Sequence, residues 1–285
     1  MSNIIIVSET GSDIPPALAE QYGIHLVPMH VSFDDVTLDD GAFPLQDICD
    51  YYSKTGKVPK TSAASPEDFT KTFDEIHSRW PEKHILHLAY SAVTTCSYQS
   101  ALLAAAGRDY VTSVDTKHVS VGQAAAVLKF AEALKANPDM SINEAVETAN
   151  QICSQTRMCF IPKNLDYLRA GGRLSNAAYF GGRLLNIHPL VEILNGVLTA
   201  TKKYRGDTKI LAPRLIKEYS QEQNLSKDLL YLICSIGLDD DIKIIAEKEA
   251  EKCGFKKVVW LCTGCVITTH GGPGAFGVVG FSENQ

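Results

Sequence analysis

The sequence predicts an α/β protein: an N-terminal, largely parallel, doubly wound sheet domain (residues 1–160) packed on a C-terminal mixed α/β domain (residues 161–285). Three observations lead to this. Short apolar runs alternate with helix-length segments through the first half, which is the pattern of strand–helix–strand units. The character changes near Pro162, beyond which Asn195-Gly196 sits between two β-prone runs as a hairpin signal. No repeat with a period of roughly 20–50 residues and no low-complexity linker interrupts the chain, so the halves are expected to pack together.

In order, Ile4–Val7 reads as a first buried strand and Pro15–Tyr22 as a helix closed by Gly23. Ile24–Val31 reads as a second strand, and Leu45–Thr55 as a helix stopped by Gly56. Ser65-Pro66-Glu67-Asp68 is a helix start, with a side-chain cap, proline at the first turn and acids facing the positive end of the dipole. That helix is expected to run to about Trp80. Ile85–Leu88 is a strand, Ser97–Ala106 a helix, Tyr110–Val114 a strand and Gln123–Leu134 a helix; Ser141 and Glu144 form a capping box opening another helix to about Thr156. Beyond Pro162, Gly-Gly-Arg occurs at Gly171–Arg173 and again at Gly181–Arg183, around an expected short helix. Ile187–Leu194 and Val197–Thr201 are the hairpin strands. A helix at Leu211–Tyr219, a strand at Leu230–Ser235, a helix at Asp241–Cys253, a strand at Val258–Leu261 and an apolar, glycine-rich element at Val266–Phe281 complete the chain.

Composition narrows the function. The chain of 285 residues carries a formal net charge of −6, which argues against a phosphate-backbone partner, because nucleic-acid binders concentrate basic surface. No apolar run is long enough to span a bilayer. The opening residues lack a basic stretch followed by an apolar core, so no signal peptide is read. Eight cysteines in a chain of this size fit buried thiols in a reducing cytoplasm.

Several motifs dissolve on inspection. Gly272-Pro273-Gly274-Ala275-Phe276-Gly277 spells a dinucleotide fingerprint, but only eight residues follow, too few for the helix and acidic strand that such a site needs. Cys262-Thr263-Gly264-Cys265 lacks a second ligand pair for structural zinc. A redox pair wants a helix after its first cysteine, whereas Val266-Ile267-Thr268-Thr269 prefers a strand, so buried thiols beside a turn are the plainer reading. No nucleophile elbow, Walker lysine loop or protein-kinase signature is present. Nothing in the sequence marks a nucleotide site.

What remains is a set of hydroxyl-rich turns: Lys60-Thr61-Ser62 before the helix that Ser65 caps, and Ser91 to Ser97 between a strand end and a helix start. Such loops gather at one edge of a parallel sheet, and helix-start N–H groups with nearby hydroxyls suit a small anion. The alternative is that these residues only cap helices. Arg173 is either an anion clamp or a surface charge, Arg183 repeats its context, and His270 is either a satisfied buried histidine or a functional one.

Together these pieces resemble the DegV family, the fatty-acid-binding subunits of bacterial fatty acid kinase. The likeness covers essentially the whole chain. It runs through Lys60-Thr61-Ser62 with Ser65 and Phe69, Ser91 to Ala101, and Val114-Asp115-Thr116. It continues through Leu165–Leu168 with Gly171-Gly172-Arg173-Leu174-Ser175, His188-Pro189 and Thr269 to Ala275. The resemblance implies a cytoplasmic carrier, not itself an enzyme, that buries one long-chain fatty acid such as palmitate or oleate at or near the domain interface. A separate ATP-binding kinase subunit would phosphorylate the presented carboxylate. It implies no cofactor or metal, no nucleic acid and only transient membrane contact. Carried over by position, Thr61 and Thr95 would bind the carboxylate, assisted by the backbone near Cys96 and by His270; Ser62 and Arg173 would lie near the head group or dock the partner. Two departures stand out. Thr94-Thr95-Cys96-Ser97-Tyr98 replaces a Leu-Ser-Gly-Thr-Tyr pattern, so Cys96 is expected to strain any left-handed backbone there. Glu9-Thr10 replaces an Asp-Ser pair. Rival readings are a free-standing phosphotransferase like dihydroxyacetone kinase, which would bind nucleotide itself, and a carrier or sensor of another small anion or lipid.

Overall fold

A computed structural model describes residues 2–173 and 187–283. Arg183, Leu174, Ser175 and the short helix expected between the two Gly-Gly-Arg turns lie outside the described residues.

The first half builds a four-stranded parallel sheet in the order β2-β1-β6-β7 from β1 (Ile4–Glu9), β2 (Ile24–Val27), β6 (His84–Ala89) and β7 (Val111–Asp115). Every residue of β1 is buried, as a parallel strand covered on both faces requires. Helices α1 (Pro16–Tyr22), α3 (Pro66–Arg79), α4 (Ser97–Ala105), α5 (Ser120–Ala136) and α6 (Ile142–Gln155) flank or follow these strands. Ser65 caps α3 as expected, closing a capping box with Asp68 as well, and the expected capping box of Ser141 with Glu144 opens α6.

The strand expected over Ile24–Val31 divides in two. Pro28 has no N–H to give a ladder, so β2 stops at Val27 and β3 (His30–Phe33) starts a different sheet. With β4 (Val36–Asp39) and β5 (Lys60–Ser62) it makes a three-stranded antiparallel sheet, β4-β3-β5, which alternation alone did not reveal. Helix α2 (Gln46–Thr55) lies between β4 and β5 in the chain and ends at Gly56 as expected.

The second sheet has six strands in the order β10-β9-β8-β13-β11-β12. These are β8 (Thr156–Ile161), β9 (Ile187–Leu194), β10 (Val197–Arg205), β11 (Leu230–Cys234), β12 (Val258–Cys262) and β13 (Phe276–Phe281). Only β11 and β12 run parallel; the other pairings are antiparallel. Strand β8 pairs within this sheet alone, so the change of sheet falls between α6 and β8, ahead of residue 160.

Side chains alternate across this sheet as the pleat dictates. Leu230, Leu232 and Cys234 face a core completed by α8 (Thr208–Glu222) and α9 (Asp240–Lys252). Tyr231 and Ile233 face the other way, into a core shared with the first sheet. Helix α5 is buried nearly all round because it lies between the sheets: it packs on β8, β11 and β13, while Gln123 donates to Ser8 and Glu9 of β1.

Two expectations about the C-terminal segment are corrected. Val266–Thr269 is helical, within α10 (Cys265–Gly271), not a strand. β-Branched residues disfavour helix by only tenths of a kcal/mol, roughly, and here tertiary capping prevails. Asp13 Oδ1 accepts from Gly264 N at 2.6 Å, and Asp40 Oδ1 accepts from Cys265 N at 2.9 Å and Val266 N at 3.2 Å. The glycine-rich tail then forms β13, with no helix after Gly272–Gly277 among the described residues, in keeping with the dismissal of the dinucleotide fingerprint. Second, Cys234 and Cys262, opposite one another on β11 and β12, form a disulfide where two thiols are expected; the other six cysteines are free.

Candidate functional site

A cavity of about 360 Å³ lies between the two halves. This is within the range of small-molecule sites, roughly 300–1,000 Å³. Its wall is largely apolar, with Met29 and Val119 from the first half and Met158, Phe160, Ile233 and Val266 from the second. All six residues singled out from the sequence, Thr61, Ser62, Thr95, Cys96, Arg173 and His270, border this one cavity.

They arrive on separate elements. Thr61 is held on β5, opposite Val31 of β3. Thr95 and Cys96 lie in the loop from β6 into α4. His270 sits in the last turn of α10, which packs on β3 and β5 of the first half and on α7 (Leu165–Ala170). The carboxylates of Asp13 and Asp40 therefore fix, from the first half, the helix that carries His270.

Thr61 Oγ1 lies 2.8 Å from His270 Nε2, joining the two halves at the cavity wall. Burial first, and then the positive charge of Arg173, lower the His270 pKa to about 4. The ring is therefore neutral near pH 7. Its Nδ1 is buried without a partner among the described residues and faces Gly171. A Cβ at Gly171 would lie 2.2 Å from that nitrogen, so the first glycine of the Gly-Gly-Arg turn is required by the close approach of His270.

Arg173 is exposed, and it ties elements together. Its Nη1 donates to Gly171 O at 2.7 Å and its Nη2 to Thr94 O at 2.9 Å, linking the end of α7 to the Thr94–Ser97 loop. Both acceptors are neutral carbonyls, and among the described residues no carboxylate pairs with it, so its charge stays uncompensated beside the cavity.

Cys96 is the N-cap of α4 with φ −85° and an exposed, free thiol. The strain expected from replacing a glycine does not arise, because the backbone there is not left-handed. Thr95 Oγ1 accepts a long bond, 3.4 Å, from Ser97 N. Glu9 and Thr10 lie off the cavity wall. Glu9 is fully buried, accepts from Tyr90 N and Gln123 at 2.9 Å each, and lies 3.3 Å from His87 Nε2. Thr10 Oγ1 accepts from Met29 N at 3.0 Å. Both are scaffold contacts.

Sequence reasoning missed Tyr90, Ser120, Ser235 and Thr263, hydroxyl residues on the cavity wall. Tyr90 and Ser235 directly follow β6 and β11, and Thr263 follows β12, so the rule that ligands collect beyond strand C-termini was the available signal. Among the described residues, no group of three or more His, Cys, Asp or Glu side chains is placed to hold a metal ion. No helix among them is long and apolar enough to cross a membrane.

The profile of the DegV family, which carries the description of an uncharacterised protein, matches residues 3–283. A DegV domain-containing protein of Caldanaerobacter subterraneus is 29% identical over 285 residues, covering 98% of this chain and 98% of its own. A fatty acid-binding protein of Thermotoga maritima is 27% identical over 282 residues, 95% of each chain. A solved structure reporting fatty acid binding of a DegV family protein from Thermus thermophilus is similar with a TM-score of 0.86 at 27% identity, covering 98% of this chain and 99% of that one.

Proposed function

Because the chain belongs to the DegV family, we propose that it is a fatty-acid carrier whose inter-sheet cavity holds one long acyl chain and whose polar wall holds the carboxylate. The observation that carries this is the Thr61–His270 bond at the edge of an otherwise largely apolar cavity. The names borne by the Thermotoga and Thermus proteins agree with it.

Removing a methylene from water contributes roughly 0.8 kcal/mol. For a chain of about sixteen carbons the gross term is on the order of 10 kcal/mol, before the cost of immobilisation. The carboxylate is the harder part, since it gives up water and needs replacement donors. Neutral His270 can donate from Nε2 to Thr61 Oγ1, which frees the Thr61 hydrogen for a ligand oxygen. In this relay His270 acts through Thr61 and polarises its hydroxyl. Thr95 and the N–H groups at the start of α4 supply further donors. Arg173 adds charge nearby, and with Nη1 and Nη2 each already donating to a carbonyl it acts as a positive charge at the rim more than as a two-pronged grip on the carboxylate.

That electrostatic balance suits a carboxylate presented for phosphorylation by a separate kinase subunit, which would bring ATP and magnesium and neutralise the developing charge. In this reading the carrier performs no chemistry alone and works in the cytoplasm. The parallel sheet with its small antiparallel sheet makes one domain and the six-stranded sheet the other, with the cavity at their seam and the boundary just ahead of β8.

Mass spectrometry of lipid extracted from denatured, freshly purified protein tests the binding. A long-chain fatty acid in near-stoichiometric amount is the expected result. Ligand-free protein that also rejects added palmitate and oleate would rule the function out.

A further inference from the structure

A hydrocarbon tail satisfies no hydrogen bond, yet the cavity wall carries a phenol that needs one. Tyr90 borders the cavity and is only 8% exposed. Its hydroxyl has no hydrogen-bond partner among the described residues. The other buried hydroxyls on the wall are engaged: Ser120 donates to Asp13, Thr263 pairs with Thr268 at 2.8 Å, and Ser235 accepts from Ala275 N at 2.7 Å. The phenol oxygen is not among the enclosed polar atoms, so it opens onto the cavity, and covering it with an acyl chain that offers no partner is unfavourable; the group calls for an acceptor on the ligand.

The ring is held in place. Tyr90 N donates to Glu9 Oε2, which also accepts from Gln123. On the ring side, a Cβ at Gly11 would lie 2.5 Å from Met29 Sδ and 3.2 Å from Tyr90 Cε2. The missing methyl at Gly11 thus makes room for Met29 and Tyr90 together. Burial raises the phenol pKa, so the hydroxyl remains a donor throughout the ordinary pH range.

We propose that Tyr90 is a specificity-determining residue whose hydroxyl donates to an oxygen of the bound acyl ligand. The inference rests on the acyl reading of the cavity and deepens it. The acceptor is either the carboxylate itself or an oxygen further along the chain, and one experiment separates the two sources. Affinities of delipidated wild type and Tyr90→Phe are measured for palmitate and for hydroxystearate bearing its hydroxyl in mid-chain. Phe keeps the ring that packs on Gly11, so the melting temperature without ligand is expected to hold; Tyr90→Leu serves as a second variant lacking the hydroxyl. The expected result is binding about tenfold weaker, equivalent to roughly 1.4 kcal/mol, for at least one ligand. Weakening for palmitate assigns the bond to the carboxylate, and weakening for hydroxystearate alone assigns it to a chain oxygen. Unchanged affinity for both ligands overturns the proposal while leaving the acyl site intact. Wild type that binds neither ligand overturns both.

Discussion

Between His270 and Gly171 the site has no spare space. The imidazole reaches Thr61 with Nε2 and presses Nδ1 against the glycine, where a Cβ would approach to 2.2 Å. Gly171→Ala is therefore expected to displace the ring, break the Thr61 bond and weaken acyl binding by about tenfold or more. Fluorescent fatty-acid titration of the variant checks this, and wild-type affinity would contradict it. At this scale the sequence was informative about position and poor on conformation. Thr61, Thr95, Cys96, Arg173 and His270 stand at one cavity, as their places in the motifs suggested. Whether Cys96 is strained, or whether Arg173 points its donors at ligand or at carbonyls, depends on φ angles and long-range contacts such as Arg173 to Thr94, separated by 79 residues. Tyr90 was not singled out because a tyrosine after a buried strand reads as core; only the structure shows its hydroxyl without a partner among the described residues.

The element that most departs from its local signal is α10. Val266, Ile267, Thr268 and Thr269 carry strand propensity, and the helix forms because Asp13 and Asp40 from the first half cap its start. No window of neighbouring residues contains that information. Pro28, by contrast, was visible in the sequence, and its missing N–H accounts for the split into β2 and β3. The cap has a pH consequence. Burial raises the Asp13 pKa well above the usual carboxylate range, ahead of the opposing bonds from Ser120 and Gly264 N. Folded protein therefore keeps this proton at pH values where the unfolded chain has lost it, and stability from this position falls as pH rises above the unfolded value of about 4. Asn has no proton to lose and retains a carbonyl oxygen for Gly264 N. The melting temperature of Asp13→Asn, relative to wild type, is expected to rise as pH increases above about 4. A difference independent of pH would show that Asp13 does not hold its proton on folding.

Across the whole molecule, one core joins both sheets: Ile4 to Val7 of β1 and Tyr231, Ile233 and Val279 of the second sheet belong to the same buried cluster. The halves also meet through Thr61–His270, through the caps of α10, and through Ser91, whose hydroxyl donates to Gly196 O at the hairpin tip at 2.8 Å. Such coupling favours a single cooperative transition. Trp80 stands in the first half and Trp260 on β12, so single-tryptophan variants report each separately. Coincident denaturant midpoints are expected, and well-separated midpoints would show halves that fold independently. The alternating strands and helices made this architecture readable at the level of class and order. The seam was not readable, because a cavity is the space left by residues such as Met29, Met158 and Ile233 that look like any other core.

The most direct measurement is the carboxyl resonance of carbon-13-labelled palmitate added to delipidated protein and to Thr61→Val. One bound resonance, distinct from free palmitate and displaced when the Thr61 hydroxyl is removed, is the expected result. A bound carboxyl signal identical in the two proteins, or none in either, would contradict the claim that this seam holds the acid end of an acyl chain.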